Sequence, residues 1–176
     1  MTTQQVSDYG TVTEPGAVRL ERLLPGPIER VWRYVTDAEL RRTWLAAGDM
    51  ELKDGGSAEL IWRNAELTGA EDPAPAEYAG EHREHGTVLA CDPPRLLAFT
   101  WSNGSIVTIA LTPVEDRVHL ELTHSKLPDR GELIGVSSGW HCHLDLLVSR
   151  VAERAPDPFW PKMDRLQTEY AERIPE

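Results

Sequence analysis

The sequence predicts an α+β domain in which a curved antiparallel sheet of about six to seven strands wraps one long helix near the C-terminus. Three observations carry that reading. One alternating apolar stretch is followed at once by two short helical stripes. A run of strand-like stretches then continues with turn signals between them and no helix-length pattern. A single long segment with apolar residues three and four apart closes the run. Strands grouped between helices, rather than alternating with them, mean an antiparallel sheet.

The polar opening, residues 1–16, reads as a flexible arm, and the domain proper as residues 17–155. "AVRLERLL" alternates, with Val18 and Leu20 set against Arg19 and Glu21. "PGP" breaks that strand, and Pro27 suits the first turn of a helix. In "IERVWRYV", Ile28, Val31, Trp32 and Val35 share one helical stripe. "TDAE" reads as a capping box from Thr36 to Glu39, opening a second short helix that leads to Trp44 and Leu45. "SAELIWRN" places Ala58, Leu60 and Trp62 on one strand face. The acidic, Ala/Pro-rich stretch 65–79 reads as a solvated loop. "HGTVLACD" and "RLLAFTW" are two strands around a Pro-Pro turn, and "IVTIALTPV" and "RVHLELTHS" are two more. "SSGWHCHLDLLVSRV" is the long helix, whose sheet-facing side is set by Trp140, Leu144, Leu147 and Val151. After "PDPFWP", an amphipathic stripe of Trp160, Met163, Leu166 and Tyr170 predicts an extra helix in residues 156–176, packed on the domain or on a partner subunit.

The segments "VWRYVTDAELRRTWL", "HGTVLACDPPRLLAFTW", "VHLELTHSKL" and "GWHCHLDLL", in that order and spacing, resemble the START-like (SRPBCC) superfamily. Within it they resemble the branch related to the activator of Hsp90 ATPase (AHSA1-like). The resemblance covers roughly Val18 to Val151. It implies a helix-grip fold with an elongated cavity for an apolar small molecule between sheet and helix. It also implies a cavity mouth near Trp44. Members bind lipids or aromatic polyketides, some catalyse cyclisation, and the eukaryotic members assist a chaperone. The chaperone activators carry an additional N-terminal domain, for which this chain has no room.

Turn chemistry narrows the lining. If Asn103-Gly104 is a two-residue turn, Thr100 and Val107 share a face, as do Ala98 and Ile109. If Glu115-Asp116 is another, Leu111 opposes Leu120, Ile109 opposes Leu122 and Val107 opposes His124. The sheet side of the pocket is then Thr100, Val107, Ile109, Leu122 and His124, with Trp62 and Trp44 nearer the mouth. The helix side is Trp140, His143, Leu144 and Leu147. Phe99, Trp101 and Ile106 would point outward, with the C-terminal stripe as their cover. A bulge near Trp101 would reverse this and bring the aromatics inside.

The "HCH" run, His141 to His143, is poor metal chemistry, because residues two apart on a helix point about 200° apart. His82 and His85 have opposite strand parity, as do His119 and His124. Cys142 reads as a small buried hydrophobe, since no base is placed beside it. No phosphate loop, dinucleotide fingerprint or nucleophile elbow is present. No catalytic residue, metal or cofactor is therefore assigned, and a binding or carrier role is favoured over catalysis. The alternatives are a cyclase-like or hydrolytic enzyme using His143 or His124 as general acid/base, and a chaperone-interacting module. The net charge of −11 argues against nucleic acid and anionic membranes. No apolar run suits a signal peptide or a membrane span. Two cysteines suit a reducing, cytoplasmic setting. The apolar C-terminal stripe leaves a homodimer open as an alternative to packing in cis.

Overall fold

The computed structural model describes residues 7–176. Seven antiparallel strands form one curved, unclosed sheet: β1 (Thr11–Glu14), β2 (Ala17–Pro25), β3 (Ser57–Trp62), β4 (His82–Asp92), β5 (Leu96–Thr100), β6 (Ile106–Val114) and β7 (Arg117–Ser125). Their spatial order is β1-β2-β7-β6-β5-β4-β3. Two short helices, α1 (Ile28–Thr36) and α2 (Ala38–Arg42), follow β2, and α3 (Arg130–Val151) lies in the concave face. The fold is a helix grip. A last helix, α4 (Phe159–Arg173), packs on α3.

Part of the stretch read as a loose arm is ordered as β1, which pairs with the edge of β2. The first six residues of that arm lie outside the described residues. The cap of α2 is Asp37, one residue later than the capping box places it. Its carboxylate accepts from the amides of Glu39 and Leu40, both at 3.0 Å. The Thr36 hydroxyl instead donates back to the Trp32 carbonyl inside α1.

The inward face is read directly from strand parity. Val18, Leu20 and Leu24 of β2, Leu97 and Phe99 of β5, Val107, Ile109 and Leu111 of β6, and Val118, Leu120 and Leu122 of β7 are all buried. The β6–β7 register is the one the Glu115-Asp116 turn dictates: Leu111 faces Leu120, Ile109 faces Leu122 and Val107 faces His124. The β5–β6 register is not the one expected. Phe99, not Thr100, pairs with Val107, and Leu97, not Ala98, pairs with Ile109. The loop closes between Trp101 and Ser105, whose backbones bond at 2.9 Å, so three residues rather than two form the turn. Gly104 supplies the left-handed residue at φ 83° that such a loop needs. One extra residue flips every side chain on β5. Phe99 therefore points into the core, and Thr100 leaves it.

α3 is buried on two sides. Leu144 and Leu147, fully buried, belong to the core against the sheet, while Cys142 and Leu146 are also shielded. The second cover is α4, with Leu166 and Tyr170 fully buried. So α4 does not cover Phe99 and Ile106 on the sheet, as the sequence pattern suggests; it covers the back of α3.

Removing the buried side chain at Leu166 should open a void between the two helices. Leu166→Ala is expected to cost about 2–5 kcal/mol. That corresponds to a fall in melting temperature on the order of 10 °C. Thermal denaturation with exposed Glu172→Ala as control checks it; equal melting points for the two variants would refute the two-sided burial of α3.

Candidate functional site

The space between sheet and helix is not empty along its length. Against the C-terminal half of α3 the side chains close up: Ile109, Leu122, Leu144 and Leu147 are at most 1% exposed. An open cleft of about 650 Å³ lies instead beside the N-terminal half of α3. That size suits a drug-sized molecule. Its floor is the helix surface at Gly131, Gly135 and Gly139, which recur every four residues and so share one face. A Cβ at Gly135 or Gly139 would meet nothing within 4 Å. The missing side chains leave room there.

Aromatic side chains form the walls. Trp62 from β3 and Trp101 from the β5–β6 loop meet edge to face, with centroids 5.9 Å apart. Trp101 and Trp140 of α3 are 6.1 Å apart. On the other side, Tyr78 stacks on Trp160 of α4 at 5.3 Å and 22°. His143 closes the deep end. The loop 65–79 is tied down rather than free. Leu67 is buried, and the Asp72 carboxylate accepts from the amides of Phe159 and Trp160 at 2.5 and 3.4 Å, capping α4 from a distance. That tie sets Tyr78 against Trp160.

The histidine with the most structure around it is His124. Trp140 Nε1–H donates to His124 Nδ1 at 3.0 Å, so Nδ1 carries no proton. Nε2–H must then donate to Ser105 Oγ at 2.8 Å, and Ser105 donates onward to Asn103 Oδ1 at 2.6 Å. The chain joins the β5–β6 loop to α3 through one fixed tautomer. His143 is fixed the other way. Its Nδ1–H donates to the Trp44 carbonyl at 2.8 Å, which leaves the Nε2 lone pair free. His141 looks to the opposite side, where Tyr170 donates to its Nδ1 at 2.8 Å while accepting from the Gly10 amide at 2.7 Å.

A match to the activator of Hsp90 ATPase homolog 1-like proteins spans residues 25–152. The chain belongs to that family. Among solved structures, the protein encoded by gene BPP1335 of Bordetella parapertussis is 38% identical over 100% of this chain and 97% of that one, with a TM-score of 0.81. CalU16 of Micromonospora echinospora, in solution, is 22% identical over 98% and 95%, with a TM-score of 0.68. Protein EF2215 of Enterococcus faecalis is 16% identical over 93% and 89%, at 0.66. The last two share the fold alone. Among the curated proteins none matches. Hsp90-activator-like chains of this fold are typically ligand-binding cavity domains.

Against the helix-grip frame of the AHSA1-like family, the residues singled out in the sequence divide into three groups. Trp62, Trp140 and His143 line the cleft. His124 stands one layer behind, 4.5 Å from the Trp101 ring and 0% exposed. The rest do not reach it. Val107, Ile109, Leu122, Leu144 and Leu147 are buried in the core between sheet and helix and do not line this cleft. Trp44 is core as well, its indole N–H donating to the Tyr34 carbonyl at 2.8 Å, and it touches the site only through its own carbonyl. Thr100 lies on the other sheet face, its hydroxyl accepting from the Thr87 amide. Trp101 lines the cleft, as the alternative with the aromatics inward has it, while the sequence pattern does not single out Tyr78, Trp160 or the glycine face as lining. The four-residue spacing of Gly131, Gly135 and Gly139 is the one signal that could have located the cleft.

Among the described residues no three His, Cys, Asp or Glu side chains come together to hold a metal ion. No helix among them is long and apolar enough to cross a membrane. Burial pushes the Cys142 thiol up to about 12. Burial also holds His124 and His143 down near 4, against 6.5 in the unfolded chain, the latter in spite of its bond to the Trp44 carbonyl.

Two expectations follow from this packing. Leu144→Trp forces bulk into a filled space and should lower stability by at least about 1–3 kcal/mol. A folded variant with an unchanged melting point would reveal a void beside Leu144. For pH, the unfolded state binds more protons than the folded one between about 6.5 and about 4. The stability carried by these neutral histidines is whole above pH 6.5 and drains away as pH falls toward 4. Urea midpoints should decline over that window, and His124→Gln should make the decline shallower. An unaltered slope would mean His124 does not contribute.

Proposed function

We propose that this chain binds a planar, largely apolar small molecule in the aromatic cleft beside the glycine face of α3. One observation carries the reading. Four buried side-chain polar atoms have no hydrogen-bond partner among the described residues, and three of them belong to cleft residues: Asn64 Oδ1, Trp101 Nε1 and Trp160 Nε1. Leaving such a group unmet costs about 1–3 kcal/mol each. A cleft that concentrates them is a site whose polar groups await a partner of matching chemistry. The free Nε2 of His143 adds a neutral acceptor at the same place. With its proton affinity so low, His143 orients a ligand at neutral pH better than it works as a general base.

The glycines support the same reading from the side of stability. Each one inside a helix costs roughly 0.5–1 kcal/mol relative to alanine. Gly135 and Gly139 have free space for a methyl group, so packing gives no reason to keep them bare. Exposed large apolar residues among the described residues, by contrast, are Val12, Leu23, Leu52, Tyr78, Leu89 and Val114, each on a different strand or loop.

Gly139→Ala should raise the melting temperature by about 2–4 °C. Gly139→Leu should fold and weaken the binding of planar aromatics, followed by tryptophan quenching, about tenfold or more. Native mass spectrometry of freshly purified protein should show a retained small molecule. If no planar aromatic quenches the tryptophans, or if Gly139→Leu binds as well as the parent, the cleft is not the site.

A further inference from the structure

The walls and rim of the cleft carry charge of one sign. Four glutamates line it, Glu77, Glu81, Glu84 and Glu132, and no lysine or arginine does. Two of the four are engaged. Glu81 is held by Arg63 at 2.9 Å and Arg83 at 3.2 Å. Glu84 accepts from the amide and hydroxyl of Ser102 and lies 3.2 Å from His82 Nε2. Glu77 and Glu132 have no cation within 4.0 Å among the described residues. Between these carboxylates stand the faces and edges of four tryptophans and a tyrosine. An aromatic face attracts a cation through its quadrupole, and tryptophan does so most strongly. Carboxylates without counter-ions at the mouth add to the attraction. So does the net charge of the chain, −11.

We infer that the molecule taken up by this cleft is a cation: an aromatic or otherwise apolar body that carries a protonated amine or a quaternary ammonium group. The inference rests on the proposed binding role and names the chemical class of the ligand. The two halves of the recognition are separable. The indole N–H groups of Trp101 and Trp160 suit a neutral oxygen on the body of the ligand. The tryptophan faces and the rim carboxylates suit its positive head. An anionic body of the same size meets four carboxylates and no lysine or arginine on the cleft lining, and is rejected.

Three probes with one naphthalene body test this: (naphthalen-2-ylmethyl)trimethylammonium, naphthalene-2-methanol and 2-naphthylacetate. Tryptophan quenching is titrated at low and at raised salt on the full chain. The ammonium should bind about tenfold tighter than the alcohol, the acetate weakest, and salt should weaken the ammonium most. The double variant Glu77→Gln/Glu132→Gln, both sites exposed, should fold and bring the ammonium-to-alcohol ratio down toward one. If the alcohol or the acetate binds as tightly as the ammonium, the charge inference is overturned and the aromatic cleft remains a binding site. An unchanged ratio in the double variant overturns the role of the rim. If none of the three binds, both the inference and the proposed function fall.

Discussion

The burial of α3 from two directions is the constraint on which the rest of the structure depends. A helix that rests on a sheet needs one apolar stripe. α3 shows Trp140, His141, Cys142, His143 and Leu144 as five consecutive buried residues, which no single stripe can contain. The sheet takes one side and α4 the other. Each fully buried leucine there is worth roughly 1.5–3 kcal/mol of burial, so α4 is part of the domain's own core. Its placement is secured at both ends by groups distant in sequence. Asp72 caps its first turn, and near its end Tyr170 holds the Gly10 amide while bonding His141. The segment before β1 is thereby pinned across the same helix pair. Tyr9 adds a 2.5 Å bond to Glu169 and lies under the Arg173 guanidinium at 3.6 Å.

Charge inside this frame is handled by carbonyls more than by carboxylates. Arg41 is 1% exposed and has no carboxylate within 4.0 Å among the described residues. It donates instead to the carbonyls of Val35, Thr36, Ala46 and Gly48, gathering the end of α1 and the chain after α2 around one guanidinium. Burial brings its pKa down to about 10, still far above neutrality, so the clamp stays charged. Arg150 ties Thr43 and Leu67 to the end of α3 in the same manner. The long loop over the cleft is thus anchored at Leu67 and again at Asp72 before it delivers Tyr78. Arg22 is the contrasting case, a buried cation paired with Asp145 at 3.0 Å beneath α4.

The element order and the β6–β7 register were legible because they rest on local signals: alternation, turn residues and a two-residue turn with only one pairing. The β5–β6 register was not. Asn103-Gly104 is a strong turn signal for a two-residue loop and equally serves the three-residue loop that forms. Nothing in the sequence distinguishes the two until His124 is seen to need Ser105, whose hydroxyl reaches it only with the longer loop in place. The second buried side of α3 was hidden for a different reason. Cys142 reads as buried, but nothing near it in sequence says against what, and His141 is covered by Tyr170, 29 residues away along the chain. The cleft itself escaped notice because its defining feature is the absence of side chains.

That absence divides α3 into two functional halves. From Trp140 onward the sheet-facing positions are Leu144, Leu147 and Val151, and the space is filled. Before Trp140 the sheet-facing positions are Leu133, Val136 and Ser137, also buried, while Gly131, Gly135 and Gly139 lie on a different side of the helix, about 100–180° away, where the cleft is open. Trp140 and His143 sit at the junction, each with one ring nitrogen committed to the scaffold: the first to His124, the second to the Trp44 carbonyl. The first requires a neutral imidazole on His124, which burial ensures; the second, in which His143 donates, is opposed by no change of charge. The site's wall is therefore as rigid as the core it borders, while its floor is bare backbone. A pocket formed in this way gains its volume by giving up helix propensity in one half of a helix whose other half the core holds firmly, and it can change shape by substitution at the glycines without disturbing the packing beyond Trp140.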